Sequence, residues 1–187
     1  DETSGVSALE LIDRSSEREL AGILATFGEE RRAGRIAKAI LAARAEGRLV
    51  TAADLADVIA SAAPSRPGSA DAGRIHPATR AFQALRVAVN REVEVLSSGL
   101  AGALAALGPG GRMAVISYHS LEDRIVKRFI ARESRDCIEE PMPPVCTCGH
   151  RAQLRPITKG VITPGSDEVR RNRRARSAKL RVAEKLA

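Results

Sequence analysis

The stretch GGRMAVISYHSLEDRIVKRFI, Gly110–Ile130, decides how this chain folds. Met113–Ser117 (MAVIS) is a continuous apolar run, too short for a helix and rich in β-branched residues. Such a run reads as a strand buried on both faces, the kind found in a parallel sheet beneath helices. Leu107-Gly108-Pro109-Gly110-Gly111 forms the turn before it. Ser120-Leu121-Glu122-Asp123 is a helix-start signature. The helix it opens runs to about Ile130, with Ile125, Val126 and Phe129 inward and Arg124, Lys127 and Arg128 outward. Ligands of open α/β sheets bind beyond the C-terminal ends of the strands. The segment Ser117-Tyr118-His119-Ser120 therefore stands at the mouth of the sheet, beside the amides and partial positive charge of a helix N-terminus. Ser120 reads as the helix cap. Tyr118 and His119 have no evident capping duty and are the candidate site residues.

Downstream, residues 134–156 are irregular, a short strand fits Ile157–Thr163, and a last strand fits Ala175–Glu184. In that last strand Ala178, Leu180 and Val182 face one way, while Ser177, Lys179 and Arg181 form an accessible basic face. Helix, buried strand, helix, strand, strand is the order of the last third of a doubly wound α/β sheet. Upstream, the first hundred residues read as helices. Ser16-Glu17-Arg18-Glu19 is a capping box opening a helix that buries Leu20, Ile23, Leu24 and Phe27 and ends at Gly28. Arg31–Ala45 carries Ile36, Ile40 and Leu41 at helical spacing and is closed by Gly47, and Thr51 caps Ala52–Ala63. Pro64–Gly73 is a loop by composition. His76-Pro77 starts one long helix whose stripe is Phe82, Leu85, Val89, Val93, Leu96 and Leu100. Gln83, Arg86 and Asn90 flank that stripe, with Arg80 further round. This polar line is either a solvated shoulder or a cleft wall.

Charge is one-sided. Residues 1–103 carry 13 Lys and Arg against 14 Asp and Glu, whereas residues 104–187 carry 17 against 9. The excess points to a polyanionic partner, nucleic acid first. Its densest run is Arg170-Arg171-Asn172-Arg173-Arg174-Ala175-Arg176, whose guanidinium forks match phosphate oxygens but do not select a base. Aromatic residues are only 2% of the chain, so a sheet that stacks several bases is not expected. No apolar run of about 18 residues exists, so no membrane-spanning helix is expected. The acidic, polar start does not read as a signal peptide. Cys137, Cys146 and Cys148 do not pair evenly, which fits a cytosolic setting. The spacing Cys146-x-Cys148-x-His150 matches no standard zinc knuckle, so a flexible loop with free thiols is the reading and no metal is expected.

Three long motifs, HPATRAFQALRVAVN (His76–Asn90), GGRMAVISYHSLEDRIVKRF (Gly110–Phe129) and RRARSAKLRVAEK (Arg173–Lys185), resemble the bacterial RsmH (MraW) methyltransferases. FGEERRAGRIAKAI (Phe27–Ile40) resembles the same family's helical insertion. The resemblance implies an α/β fold: the C-terminal part of a Rossmann-like class I methyltransferase sheet plus a helical insertion domain. Residues 1–75 would be the insertion and 76–187 the C-terminal part of the methyltransferase domain, with MAVIS as the fifth strand and the two late strands as the closing antiparallel pair. It implies N4-methylation of a cytidine in 16S ribosomal RNA, at the decoding region of the small subunit, with S-adenosylmethionine as methyl donor. Tyr118 and His119 would be the catalytic pair. Arg80, Gln83, Asn90, Ser117, Ser120, Arg173, Arg174 and Arg176 would line the substrate side. The family's Gly-rich cofactor loop, acidic ribose-binding residue and Asp-containing fourth strand have no counterpart here, so no cofactor contact is expected from this chain and it should not be active alone. The expected partner is 16S ribosomal RNA within the small subunit, in the cytoplasm and with no membrane. A homodimer is left open. A non-enzymatic basic RNA-binding domain is the rival reading, and a small metal-binding module around Cys146–His150 is a second.

Overall fold

Capping boxes set the register of the helical half. Ser7, Ser16 and Thr51 each accept from the backbone amide three residues on, and Glu10, Glu19 and Asp54 reach back to the cap amides. Each box satisfies two amides that a helix start leaves without partners. The computed structural model describes residues 5–64, 76–139 and 145–187. Beyond Pro64 the expected loop Pro64–Gly73 lies outside the described residues, as do residues 140–144 of the expected irregular segment. The chain divides into two units, Asp1–Glu92 and Val93–Ala187.

The first unit holds α1 (Ala8–Arg14), α2 (Glu17–Gly28), α3 (Ala33–Ala45), α4 (Ala52–Ala62) and α5 (Thr79–Val89). Leu20, Leu24, Ile36, Ile40 and Ile59 are fully buried at its centre. Gly47 closes α3 as expected, at φ 70°. The amides of Gly47 and Arg48 return to the carbonyls of Arg44 and Ala43, the paired bonds of a Schellman cap. α2 ends at Gly28 as expected, and Glu29 just beyond it takes the left-handed position at φ 51°. Gly28 serves packing. A Cβ there would stand 2.5 Å from the Arg80 carbonyl oxygen and 3.2 Å from Ala84 Cβ, so α2 and α5 meet backbone to backbone. Gly28→Ala should cost about 2 kcal/mol by overpacking. It should lower the thermal midpoint by about 4–8 °C. A midpoint within a degree of wild type would show that the helices separate freely.

The single long helix expected from His76 onward is two. α5 starts at Thr79, and the chain breaks at Asn90-Arg91, where Arg91 sits at φ 51°. α6 (Glu92–Ala106) follows. The Glu92 carboxylate lies 2.9 Å from Arg86 Nε and accepts from Asn90 Nδ2 at 3.3 Å, which ties the break together. The stripe from Phe82 to Leu100 is therefore not one line. α5 buries Ala81, Ala84, Leu85 and Val87, and α6 buries Leu100 and Leu104. Packing places α5 with the first unit, so the compact units divide after Glu92.

The second unit adds β1 (Arg112–Ser117), α7 (Ser120–Glu133), β2 (Leu154–Pro156), α8 (Ser166–Arg171), a 3-10 turn (Arg173–Ser177) and β3 (Lys179–Lys185). The sheet order is β1-β3-β2, and both pairings are antiparallel. The parallel, doubly buried strand expected for MAVIS is corrected. Along β1 only Met113 and Ser117 are buried, and Ile116 is 59% exposed. Its pairing partner is β3, and α7 covers one face, so β1 alternates as half-covered antiparallel strands do. Met113, Val126, Ile130, Leu154 and Ala183 form the core with Leu100 and Leu104. The last strand begins four residues later than expected, after the 3-10 turn. The strand expected at Ile157–Thr163 is offset: β2 ends at Pro156, while Ile157 donates to Val182 and Ile162 bridges Leu180. Lys185 caps the C-terminus of α6, its ammonium donating to the Leu104 and Leu107 carbonyls at 3.0 and 2.8 Å.

Candidate functional site

β1 runs out at Ser117, which pairs in register with Lys179, the first residue of β3. Two chain segments therefore meet at one end of the sheet: Tyr118-His119 leaving β1, and the arginine-rich 3-10 turn entering β3. Ser117 is buried, its hydroxyl donating to the Lys179 carbonyl at 3.4 Å. Tyr118 is 56% exposed.

The capping duty expected of Ser120 belongs to His119. His119 Nδ1 accepts from the Glu122 amide at 3.5 Å, and the Glu122 carboxylate accepts from the Tyr118 and His119 amides at 2.9 and 3.3 Å. This is a capping box with imidazole in the serine position. It fixes the backbone of the Tyr118-His119 turn and half-buries the His119 ring. Nε2 is buried without a hydrogen bond, with Glu122 Oε1 3.0 Å away. One nitrogen of the ring thus serves the cap, and the other faces the same residue's carboxylate.

The basic face expected on the last strand is reversed. Arg181 points to α7 and forks onto Asp123 at 2.7 and 3.1 Å, with Lys179 4.0 Å from the same carboxylate. Asp123 accepts both donors, which is why these cations face inward. The Arg181 guanidinium holds the Asp123 carboxyl below its ordinary range, against the opposing effect of burial. Arg173, Arg174 and Arg176 remain exposed, and no ion pair engages them among the described residues. Asn172 caps their turn, accepting from the Arg174 amide at 3.1 Å. Val169, Arg170, Arg173 and Arg176 line a shallow cavity of about 560 Å³. Its charge suits contact with phosphate oxygens.

Sequence reasoning missed a second basic surface. Arg128, Arg132 and Arg135 line another cavity, of about 510 Å³, with Ala131 and Ile138. The signal was available as basic residues at steps of four and three along α7. Of the other expected substrate-side residues, Arg80 is exposed on α5, Gln83 is half-buried, and Asn90 is tied to Glu92. These three belong to the first unit and the Ser117–Ser120 turn to the second.

The cysteines are not loosely placed. Sγ of Cys137, Cys146 and Cys148 and a carboxylate oxygen of Glu139 all lie within 4.8 Å of one another. The Cys148 thiol is held down at about 7, first by the Ile138 amide and then by the Cys146 thiol. Cys146 is pushed up to about 12 by its contact with Cys148.

Gly110 and Gly111 precede β1, and their amides bond the Lys185 and Gly108 carbonyls at 2.9 Å. Both are spent on the turn. Among the described residues no Gly-rich turn follows a strand.

The sequence profile of the MraW methylase family matches residues 1–186, and the chain belongs to that family. It is 49% identical over its whole length to "Ribosomal RNA small subunit methyltransferase H" of Thermomicrobium roseum, of which it covers 56%. Proteins of the same name from Solidesulfovibrio magneticus and Heliobacterium modesticaldum are each 49% identical over 99% and 98% of this chain, which covers 56% and 58% of them. The chain thus spans little more than half the length of these relatives. No helix among the described residues is long and apolar enough to cross a membrane.

Proposed function

We propose that this chain is the substrate-side, C-terminal part of an S-adenosylmethionine-dependent enzyme that methylates N4 of a cytidine in 16S ribosomal RNA, at the decoding region of the small subunit, in the cytoplasm. On this reading β1, β3 and β2 are one end of a Rossmann-like class I sheet, with MAVIS as its fifth strand and β2–β3 as the closing pair. Residues 1–75 are the helical insertion. The observation that carries it is the shared sheet end: Tyr118 and His119 emerge where the Arg173–Arg176 turn enters. The family's named relatives support the RNA substrate.

The exocyclic amine of cytosine is a poor nucleophile, because its lone pair is delocalised into the ring. Catalysis then rests on positioning and on acceptors for the amine protons. The base must leave its stack to be reached. Tyr118, exposed on a turn whose backbone is fixed, offers a face or a hydroxyl to the flipped ring. His119, whose Nδ1 accepts from the Glu122 amide, offers Nε2–H as a donor to the ring. Arg80, Gln83 and Asn90 are assigned to the RNA side. The cofactor would supply the electrophilic methyl group.

Methylation of isolated small subunits by the full-length protein, with nucleoside mass spectrometry, tests the reading. N4-methylcytidine is expected. Label on another base, or RNA binding without transfer, would overturn it. The arginine turn has its own test. Replacing Arg173, Arg174 and Arg176 together with Gln should raise the RNA Kd about tenfold or more at low salt and lower the salt slope by about two, at roughly 0.7 per lost single-strand phosphate contact. An unchanged slope would remove these residues from the RNA surface.

A further inference from the structure

Cys137 follows α7, and Cys146 and Cys148 precede β2, and their three sulfurs converge with one carboxylate oxygen of Glu139. Cys146 Sγ lies 3.1 Å from Cys148 Sγ, and Glu139 Oε2 lies 3.8 Å from Cys137 Sγ. Thiolates around zinc at about 2.3 Å stand about 3.8 Å apart, so a set spanning less than 4.8 Å closes on such an ion with sub-ångström shifts. We propose that Cys137, Cys146, Cys148 and Glu139 form a structural zinc site, with three thiolates and one carboxylate oxygen as ligands.

Three features around the ligands favour this over a loop of free thiols. Glu139 is already aimed, its carboxylate accepting from Thr147 Oγ1 at 2.7 Å and from the Thr147 amide at 3.3 Å. Such outer bonds orient ligating carboxylates in metal sites. The His150 amide points at Cys148 Sγ at 3.5 Å, as amides do around metal-bound thiolates. The His150 ring turns away, with Nε2 3.7 Å from the buried Glu133, so it is not the fourth ligand. Charge is the third feature. One dication with three thiolates and a carboxylate leaves a net charge of about −2. The basic cavity of Arg128, Arg132 and Arg135 borders Ile138, between the two ligands Cys137 and Glu139.

The ligand chemistry selects the ion. Thiolates exclude magnesium and calcium, and a filled set of four leaves no open position for catalysis. Binding releases thiol protons to solvent and joins the end of α7 to the approach to β2. This inference concerns the second unit alone and stands or falls apart from the methyltransferase reading.

The test uses the full chain, stripped with a chelator in the presence of a phosphine reductant and titrated with cobalt(II). One cobalt per chain is expected, with the intense visible bands of tetrahedral cobalt and near-ultraviolet thiolate-to-metal charge transfer, both bleached by one equivalent of zinc. Cys137→Ser and the pair Cys146→Ser/Cys148→Ser should each weaken binding at least about 100-fold. Glu139→Gln should weaken it about tenfold, within the range for groups that tune metal sites, while keeping the charge-transfer band. His150→Asn should leave it within about twofold. Absence of the cobalt spectrum in the reduced wild-type chain overturns the site, whether or not any variant folds. A spectrum retained by Cys137→Ser, or an affinity that follows His150 instead of Glu139, overturns this ligand set.

Discussion

His119→Asn in the full-length enzyme is expected to reduce methyl transfer to the small subunit about 100-fold or more, while the thermal midpoint stays within about 2 °C of wild type. The two parts of that result rest on the two nitrogens of one ring. Nδ1 accepts from the Glu122 amide, and an asparagine oxygen takes the same place in the box. Nε2, buried without a hydrogen bond, has no counterpart in asparagine. Because Nδ1 is the acceptor, Nε2 carries the imidazole proton. In the proposed role it donates that proton to the flipped cytosine, and its loss removes an interaction of the kind that general acid–base groups supply, about 10²–10⁴-fold in rate. His119→Ala is the contrasting variant. It loses the cap as well, at about 1 kcal/mol, and should lower both activity and midpoint. Tyr118 separates stacking from hydrogen bonding: Tyr118→Phe should keep most activity if the ring stacks on the flipped base, and Tyr118→Ala should lose about 1–3 kcal/mol of substrate binding. Full activity in His119→Asn would assign the residue to helix capping alone.

That experiment is needed because the sequence disguises the role of His119. Ser120 is the usual capping residue and stands one position away, so pattern reasoning gave it the duty and left His119 free. The box actually closes between His119 and Glu122, a spacing as visible in the sequence as Ser16 with Glu19 but built on a less frequent cap. Apart from that cap, local rules worked at most positions where neighbouring residues decide. The caps at Ser16, Gly47 and Thr51 were legible, and so were the α2 and α7 faces. They failed where a distant partner decided. Gly28 reads as a stop signal, and nothing local shows its close approach to Arg80 and Ala84. The stripe of α5 and α6 is continuous in sequence, but Arg91 in the left-handed region breaks it. Cys137 lies nine positions before Cys146, so the free-thiol reading rested on a spacing that does not show their sulfurs to be neighbours. Family motifs identified the chain more surely than periodicity, since Gly110–Phe129 is long enough to be specific even where its strand was assigned the wrong partners.

The strand whose polarity the sequence inverted yields the largest stability prediction. Asp123→Asn should destabilise the second unit by about 2–3 kcal/mol, and Arg181→Met by somewhat less. The Asp123 and Arg181 side chains are each only 15% exposed and are joined by two hydrogen bonds. Removing one partner of a buried pair leaves the other charge desolvated, at about 3–5 kcal/mol when burial is complete. The residual exposure places this pair below that range. Asp123→Asn is the worse of the two because it leaves both Arg181 and Lys179 facing a neutral amide. The double variant Asp123→Asn/Arg181→Met should recover part of the loss, since neither ion then remains to be solvated. Acid gives an independent reading. The Asp123 carboxyl titrates below its ordinary value of 3.8, so its contribution is complete above that pH and disappears as pH falls through the native pKa. Wild type and Asp123→Asn should therefore converge in stability as pH drops below about 4, measured by urea denaturation. Parallel pH profiles, with a constant gap down to about pH 2, would mean that the loss comes from packing around the amide and not from the ion pair. Because the pair fastens the first turn of α7 to β3, the same variant should also loosen the Tyr118-His119 turn. The expected readout is faster amide exchange at Tyr118 and His119, with Leu20 and Leu24 in the first unit unchanged.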